Sequence, residues 1–332
     1  MKKTFLLLIA GLLIAGCSKQ SSESCEFIPD SGNIQITLNF EALEDSLPAI
    51  QTKNQLVSFF SRHPVMRDNF FNRQAYANDS AFINGLFDKF SHPAFDTLLI
   101  ETRKVFGDGD ELKNQFATAF KNIKYYYPDF SPPKIQTVIS GLETDVMITD
   151  SLVIIGLDYF LGADAKYKPN MYDYILRRYH KDFVVPSVVL LIGISEKFNK
   201  TNMEDKTVLA DMMAYGKAYT FTKRIMPCTP DSVLIGYTQK EIEGAIYNEA
   251  TIWKRMIDDQ ILFSTSHMIK QRYIAERPKT TEVSMQCPGR IGMWIGWRMA
   301  DKYLSENKKS LNDLMNEADA QKIFKMAKYR PN

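Results

Sequence analysis

Residues 135–157 read IQTVISGLETDVMITDSLVIIGL, and here the hydrophobic period of the chain changes. Ile135–Ile139, Thr144–Thr149 and Leu152–Ile155 are short runs rich in β-branched residues, broken by Ser140-Gly141 and Asp150-Ser151. Three strands are expected, the last two joined by a tight turn. A fourth is expected upstream: Asn33–Phe40 alternates apolar and polar residues, so Ile34, Ile36, Leu38 and Phe40 would share one face of a half-buried strand. Asp158 lies in Leu157-Asp-Tyr-Phe-Leu-Gly162, where the chain leaves the last strand. That position suits either a functional carboxylate or one that caps a turn or helix.

The flanks have helical period. Phe82, Ile83, Leu86, Phe87 and Phe90 recur at spacings of three and four, and Asp110 is placed to begin another helix. From residue 170 onward the pattern is helical. Val208, Leu209, Met212, Met213, Gly216 and Tyr219 form the apolar stripe of a helix that must end near Pro227. Thr238-Gln-Lys-Glu241 is a capping box expected to open a helix running to about Asp258, and Ser310-Leu-Asn-Asp313 repeats the device for the last helix. The expected fold class is therefore α+β: helix-rich, with a small mixed sheet.

The first 17 residues, MKKTFLLLIAGLLIAGC, have a basic start, an apolar segment too short to span a bilayer, and small residues before a cysteine. Residues 1–16 are expected to be a lipoprotein signal peptide, 17–32 a tether lipidated at Cys17, and 33–332 the globular body. Several acyl chains on one residue, at about 0.8 kcal/mol per buried methylene, would hold the chain on a membrane essentially permanently. Losing Lys2 and Lys3 takes the formal charge of +2 to about zero, which leaves no basic excess for nucleic acid. With 21 Phe, 16 Tyr and 15 Met the body can bury a large core. Its longest apolar run, Phe183–Ile194, is interrupted by Pro186-Ser187 and falls short of a membrane span.

Few residues carry obvious chemistry. His63, His92, His180 and His267 are scattered, without the pairing that places two imidazoles on one metal, and no metal or other cofactor is expected. Signatures of serine hydrolases, nucleotide-binding loops and HExxH peptidases are absent. Cys25, Cys228 and Cys287 leave room for one disulfide and one free thiol; Cys228 with Cys287 is one pairing, and the sequence does not set the connectivity. The densest cluster is Asn248-Glu249-Ala-Thr-Ile-Trp253 with Pro288-Gly-Arg-Ile-Gly-Met-Trp-Ile-Gly-Trp297-Arg298. Gly292 and Gly296 share a helical face that a neighbouring segment can approach closely. Trp253, Trp294 and Trp297 with Arg290 and Arg298 either line a cleft, with Glu249 as the carboxylate partner, or pack as core.

The lipobox, Leu157-Asp-Tyr-Phe-Leu-Gly162, Met213-Ala-Tyr-Gly-Lys217, Asn248-Glu-x-x-Ile-Trp253 and Pro288-Gly-Arg-Ile-Gly-x-Trp-Ile-Gly-Trp297 resemble, in this order, the gliding-motility lipoprotein family of the GldB type. That family is similar in turn to predicted zinc peptidases with an HExxH helix, which implies a zincin-like body. The HExxH place would fall on Met213–Lys217, with methionine and lysine standing for the two histidines, while Glu249 would keep the acidic ligand's position. A thioether and an ammonium cannot hold a catalytic zinc ion, and Lys217 is expected to pair with Glu249 instead.

The resemblance implies a cell-envelope protein of the gliding or type IX secretion machinery, with an envelope protein as partner. Ser18 and the absence of an acidic run in Lys19-Gln-Ser-Ser22 favour an outer-membrane anchor facing the periplasm. The expected activity is non-catalytic binding of a partner or peptide at Asp158, Lys217, Glu249, Trp253, Arg290, Trp294 and Trp297. The alternatives are a zinc metallohydrolase that brings Asp158 or His267 beside Glu249, and a purely structural lipoprotein whose tryptophans are core.

Overall fold

The sheet forms where the period changes. A computed structural model describes Cys25 and residues 27–331, so the signal peptide and Cys17 lie outside the described residues. Strands β1 (Phe40–Ala42), β2 (Lys134–Val138), β3 (Val146–Ile148) and β4 (Leu152–Gly156) pair in the order β1-β2-β4-β3. β1, β2 and β4 run parallel, and β3 is antiparallel on the edge of β4. Lys134 pairs with Leu152 and Val138 with Gly156, so the two central strands are in register along their length.

Both faces of this centre are covered, and alternate residues go to different cores. Ile135, Val153 and Ile155 join one, and Val138 and Ile154 the other. α1 (Lys53–Arg62), α2 (Asp79–Phe90) and α3 (Pro93–Phe106) build the core on the second face with Phe59, Phe60, Phe82 and Phe95. α4 (Asp110–Tyr126) covers the first face with Leu112, Phe116 and Phe120, joined there by residues from some of the helices that follow the sheet. The helices after the sheet are α5 (Asp173–Leu176), α6 (Val184–Ile194), α7 (Val208–Ile225), α8 (Asp231–Ile235), α9 (Gln239–Tyr247), α10 (Glu249–Asp258), α11 (His267–Tyr273), α12 (Ile291–Asn307), α13 (Leu311–Asn316) and α14 (Ala320–Ala327). The α+β reading holds. No helix of the described residues is long and apolar enough to cross a membrane.

A third core forms around α7 and α12, with Met212, Met213, Trp294 and Trp297 among its buried residues. The buried residues of all three cores lie between Leu43 and Tyr329, so a chain beginning after Cys17 carries complete cores. The capping boxes at Thr238 and Ser310 are both formed. The helix opened by Thr238 is broken at Asn248, however, and α14 follows the helix expected to be last.

One further expectation needs correction, and the disulfide pairing that the sequence left open is formed. The first strand spans Phe40–Ala42 rather than Asn33–Phe40: Ile36, Leu38 and Phe40 do pack on the core, yet the hydrogen bonds to β2 begin only at Asn39. The disulfide joins Cys25 to Cys228, across 203 positions, whereas Cys287 is a buried free thiol. Cys287 lies inside the third core, where burial pushes its thiol up to about 12, and Cys228 follows α7 at the surface.

Candidate functional site

The entry to α12 explains its glycines. Arg290 adopts a left-handed backbone (φ 59°) as the first cap of the helix. A methyl group on Gly289 would strike the Arg277 carbonyl, one on Gly292 the Tyr273 carbonyl and Ile274, and one on Gly296 the Met212 backbone. α12 therefore sinks into backbone contact with three segments, and its tryptophans go inside with it. Trp297 stacks on Tyr219 with ring centres 5.4 Å apart, and Trp294 meets Trp297 edge-on at 5.7 Å. Trp294 is fully buried and Trp297 is 2% exposed, so Trp294 is core and only the margin of Trp297 reaches a cleft.

Arg290 does not form an open rim either. Its guanidinium is buried, donates to the Ile235 carbonyl at 2.6 Å and lies 3.5 Å from Glu276, which also pairs with Arg178 at 2.6 Å. The Tyr237 hydroxyl donates to the Gly289 carbonyl at 2.6 Å, closing the turn before the helix. Arg290 thus ties α8 to the entry of α12, with its charge met inside the protein.

Glu249 opens α10 and is 9% exposed. The Tyr329 hydroxyl donates to its Oε1 at 2.5 Å, and Arg298 lies 3.4 Å from its Oε2. Burial and the Glu249 carboxylate together push the Tyr329 phenol well above its ordinary value, so it remains a donor. Of the two arginines that the sequence set beside Glu249, Arg298 lies next to it and Arg290 does not, and the expected pairing of Glu249 with Lys217 is absent. Lys217 is fully buried elsewhere on α7, donating to Thr201 Oγ1 at 3.0 Å and to the Glu317 carbonyl at 2.9 Å. Burial lowers its ammonium to about 7.

Asp158 also stands apart, at the end of the sheet. Its carboxylate accepts from the backbone N–H groups of Ser140 at 2.8 Å and Leu142 at 2.6 Å, and from the Ser140 hydroxyl. Gly141 and Leu142 both have positive φ (72° and 59°), so Asp158 holds a left-handed turn closed. Burial raises its carboxyl above the ordinary value, against the pull of those donors. Of its two readings, the turn-capping carboxylate describes what it touches.

Glu249, Trp297 and Arg298 share a cleft of about 520 Å³ with Arg224, Asp301 and Tyr329. Asp301 accepts from the Thr220 hydroxyl at 2.8 Å, and burial pushes its carboxyl up to about 6. A second groove, of about 480 Å³, adjoins it across Tyr329 and Arg330; Trp253 stands there edge-on to Tyr329 at 5.1 Å, beside Phe324. Arg224, Asp301 and Tyr329 were not legible as site residues, because nothing local to them distinguishes them and the cleft joins distant parts of the chain. Neither Asp158 nor His267 is among the partners of Glu249. His267 faces Gln271 at 3.3 Å at the start of α11. Among the described residues, no three His, Cys, Asp or Glu side chains come together as a group able to hold a metal.

No curated protein and no solved structure matches the chain. The family described as gliding motility protein GldB matches residues 24–331, nearly everything after the N-terminal segment. With that span matched, and with the glycine-rich entry to α12 and the Glu249 network both inside it, the chain belongs to the gliding motility protein GldB family.

Proposed function

We propose that this protein is a lipid-anchored, non-catalytic part of the cell envelope that binds a protein of the gliding or type IX secretion machinery. The observation that carries the reading is the state of the three positions where a related zinc peptidase would hold its metal. Met213 is closed in the core, Lys217 is held by Thr201 and Glu317, and Glu249 is held by Tyr329 and Arg298. Each side chain already has a structural partner, and a thioether and an ammonium are poor zinc ligands. The zincin-like relation and the outer-membrane, periplasm-facing placement are parts of the same proposal, supported by sequence resemblance and by Ser18 with the residues after it.

The partner surface is assigned to the groove at Trp253. Trp294 and Trp297 are occupied in the core, whereas Trp253 is half-buried, with Phe324 beside it and Lys325 and Lys328 around it. A rigid aromatic at the centre of a polar rim is the usual form of a binding anchor. Substitution of Trp253 by alanine is expected to weaken capture of the gliding or secretion complex from envelopes about tenfold or more, the loss typical of an anchor residue. Far-UV circular dichroism and membrane fractionation would be unchanged. Undiminished capture by this folded, anchored variant would overturn the assignment. Stoichiometric zinc with peptide hydrolysis that disappears in Glu249→Gln would overturn the non-catalytic reading.

A further inference from the structure

The larger cleft carries more cations than the body uses. Lys223, Arg224, Arg298, Lys302 and Arg330 line it against Asp231, Glu249 and Asp301. All three carboxylates have internal partners: Asp231 pairs with Lys223 at 2.9 Å, Glu249 is held by Tyr329 and Arg298, and Asp301 accepts from Thr220. Lys302 pairs with Glu306 along α12 at 2.6 Å. Among the described residues, neither Arg224 nor Arg330 forms an ion pair, and the Arg224 guanidinium lies over the Phe27 ring, 3.8 Å from its centre. On a body of near-zero net charge this is a local positive concavity, and guanidinium groups suit the paired oxygens of a phosphate.

The position of the cleft supplies the second observation. Phe27 lines it, and two residues earlier Cys25 is bonded to Cys228, just beyond α7. Phe27 and Ile28 are 63% and 67% exposed, so two consecutive large apolar side chains stand in solvent, with Phe27 against the Arg224 guanidinium. Exposed aromatic and apolar residues next to lysine and arginine are the composition of a membrane-interface anchor. From Cys25 back to Cys17 there are only eight residues, which reach at most about 28 Å when fully extended. A lipid on Cys17 therefore keeps this cleft close to the bilayer.

We propose that the cleft formed by Arg224, Arg298, Lys302 and Arg330 binds the phosphate of an anionic lipid headgroup in the membrane that carries the anchor, with Phe27 and Ile28 entering the interface beside it. This rests on the lipid-anchored part of the function proposed above; the cleft shares only Tyr329 and Arg330 with the partner groove. Attachment itself comes from the acyl chains. The cleft sets orientation, because a short tether confines it to an effective headgroup concentration of roughly millimolar or more, where even a weak site fills. Trp253, across Tyr329 and Arg330, would then be presented at a defined height and angle.

The test uses the chain from residue 18, which lacks the lipid but keeps every core, and sedimentation with vesicles. Vesicles of phosphatidylcholine with about one-third phosphatidylglycerol should bind it, and pure phosphatidylcholine should not. Arg224→Gln with Lys302→Gln, neither of which lines the Trp253 groove, should weaken that binding about tenfold or more. The exposed pair Lys104→Gln with Lys113→Gln, on the α3–α4 side, should leave it unchanged. Circular dichroism and thiol titration would establish that each variant is folded with its disulfide formed. Equal binding to both vesicle types, or equal loss in the two sets of variants, would overturn the proposal. Tight binding of glycerol phosphate without binding to vesicles would assign the cleft to a soluble phosphate and overturn the membrane source. None of these outcomes bears on partner capture at Trp253, so the two readings fail separately.

Discussion

Lys217 shows how one residue can occupy an expected site position and do something else. Its Nζ reaches Thr201 and the Glu317 carbonyl, two neutral acceptors that an uncharged amine also satisfies, and its ammonium is lowered from 10.5 to about 7 by burial. Between those values the unfolded chain holds a proton that the folded chain has released, so stability rises with pH across that window. Below pH 7 the folded state must carry the charge inside the core, and the penalty is then fully present. Lys217→Met fills similar space without a titrating group. From pH 7 to 9 the wild type should gain stability relative to this variant by up to about 1.4 kcal/mol per pH unit, read from urea unfolding. Parallel curves for the two proteins would show that Lys217 keeps its ordinary basicity.

Between elements, the decisive contact is α7 against α12, and it depends on two missing side chains. A methyl group at Gly216 would overlap the Gly296 carbonyl, and one at Gly296 would overlap the Met212 carbonyl, so the helices meet backbone to backbone. Either glycine replaced by alanine should cost about 3 kcal/mol or more, since the helices would have to separate and loosen the stacking of Trp297 on Tyr219. Gly244 in α9 has no atom near its missing side chain, and Gly244→Ala should raise stability by about 0.5–1 kcal/mol. Urea midpoints of the three variants check both signs, and a neutral Gly216→Ala would refute the close crossing. The face shared by Gly292 and Gly296 was legible in the sequence because small residues one turn apart have few other uses in an apolar helix. The three strands of 135–157 were legible because β4, buried on both faces, reads as a continuous apolar run, and because all three are rich in β-branched residues and bounded by Ser140-Gly141 and Asp150-Ser151. Asn33–Phe40 was misread for an equally physical reason. Alternation reports which side chains touch a core, and Ile36 and Leu38 do so without entering a hydrogen-bonded ladder.

At the scale of the whole molecule, the site was less legible than the fold because it is assembled from the two ends of the chain and its middle. Glu249 shares one aromatic cluster of the sequence with Arg290 and Arg298, but the sequence does not say which arginine it meets. Phe27, Arg224 and Tyr329 meet only after folding, and no local pattern joins them. The Cys25–Cys228 bond completes that assembly by fixing the N-terminal segment beside α7, across 203 positions of sequence. A cross-link of that span restricts the unfolded chain far more than the folded one, which already holds both ends together. Cys25→Ser with Cys228→Ser should lower stability by about 3–5 kcal/mol. Far-UV circular dichroism should stay unchanged, because every helix of the described residues begins at Lys53 or later and the fully buried core residues begin at Leu43. In the anchored protein the same substitution lengthens the free tether from the eight residues after Cys17 toward the start of β1. It should therefore broaden the orientation of the body on the membrane, read as altered protease accessibility or spin-label depth on the α7–α12 side. An unchanged unfolding midpoint would mean that the N-terminal segment leaves this face as readily as it docks, and that the bond does not hold the cleft toward the bilayer.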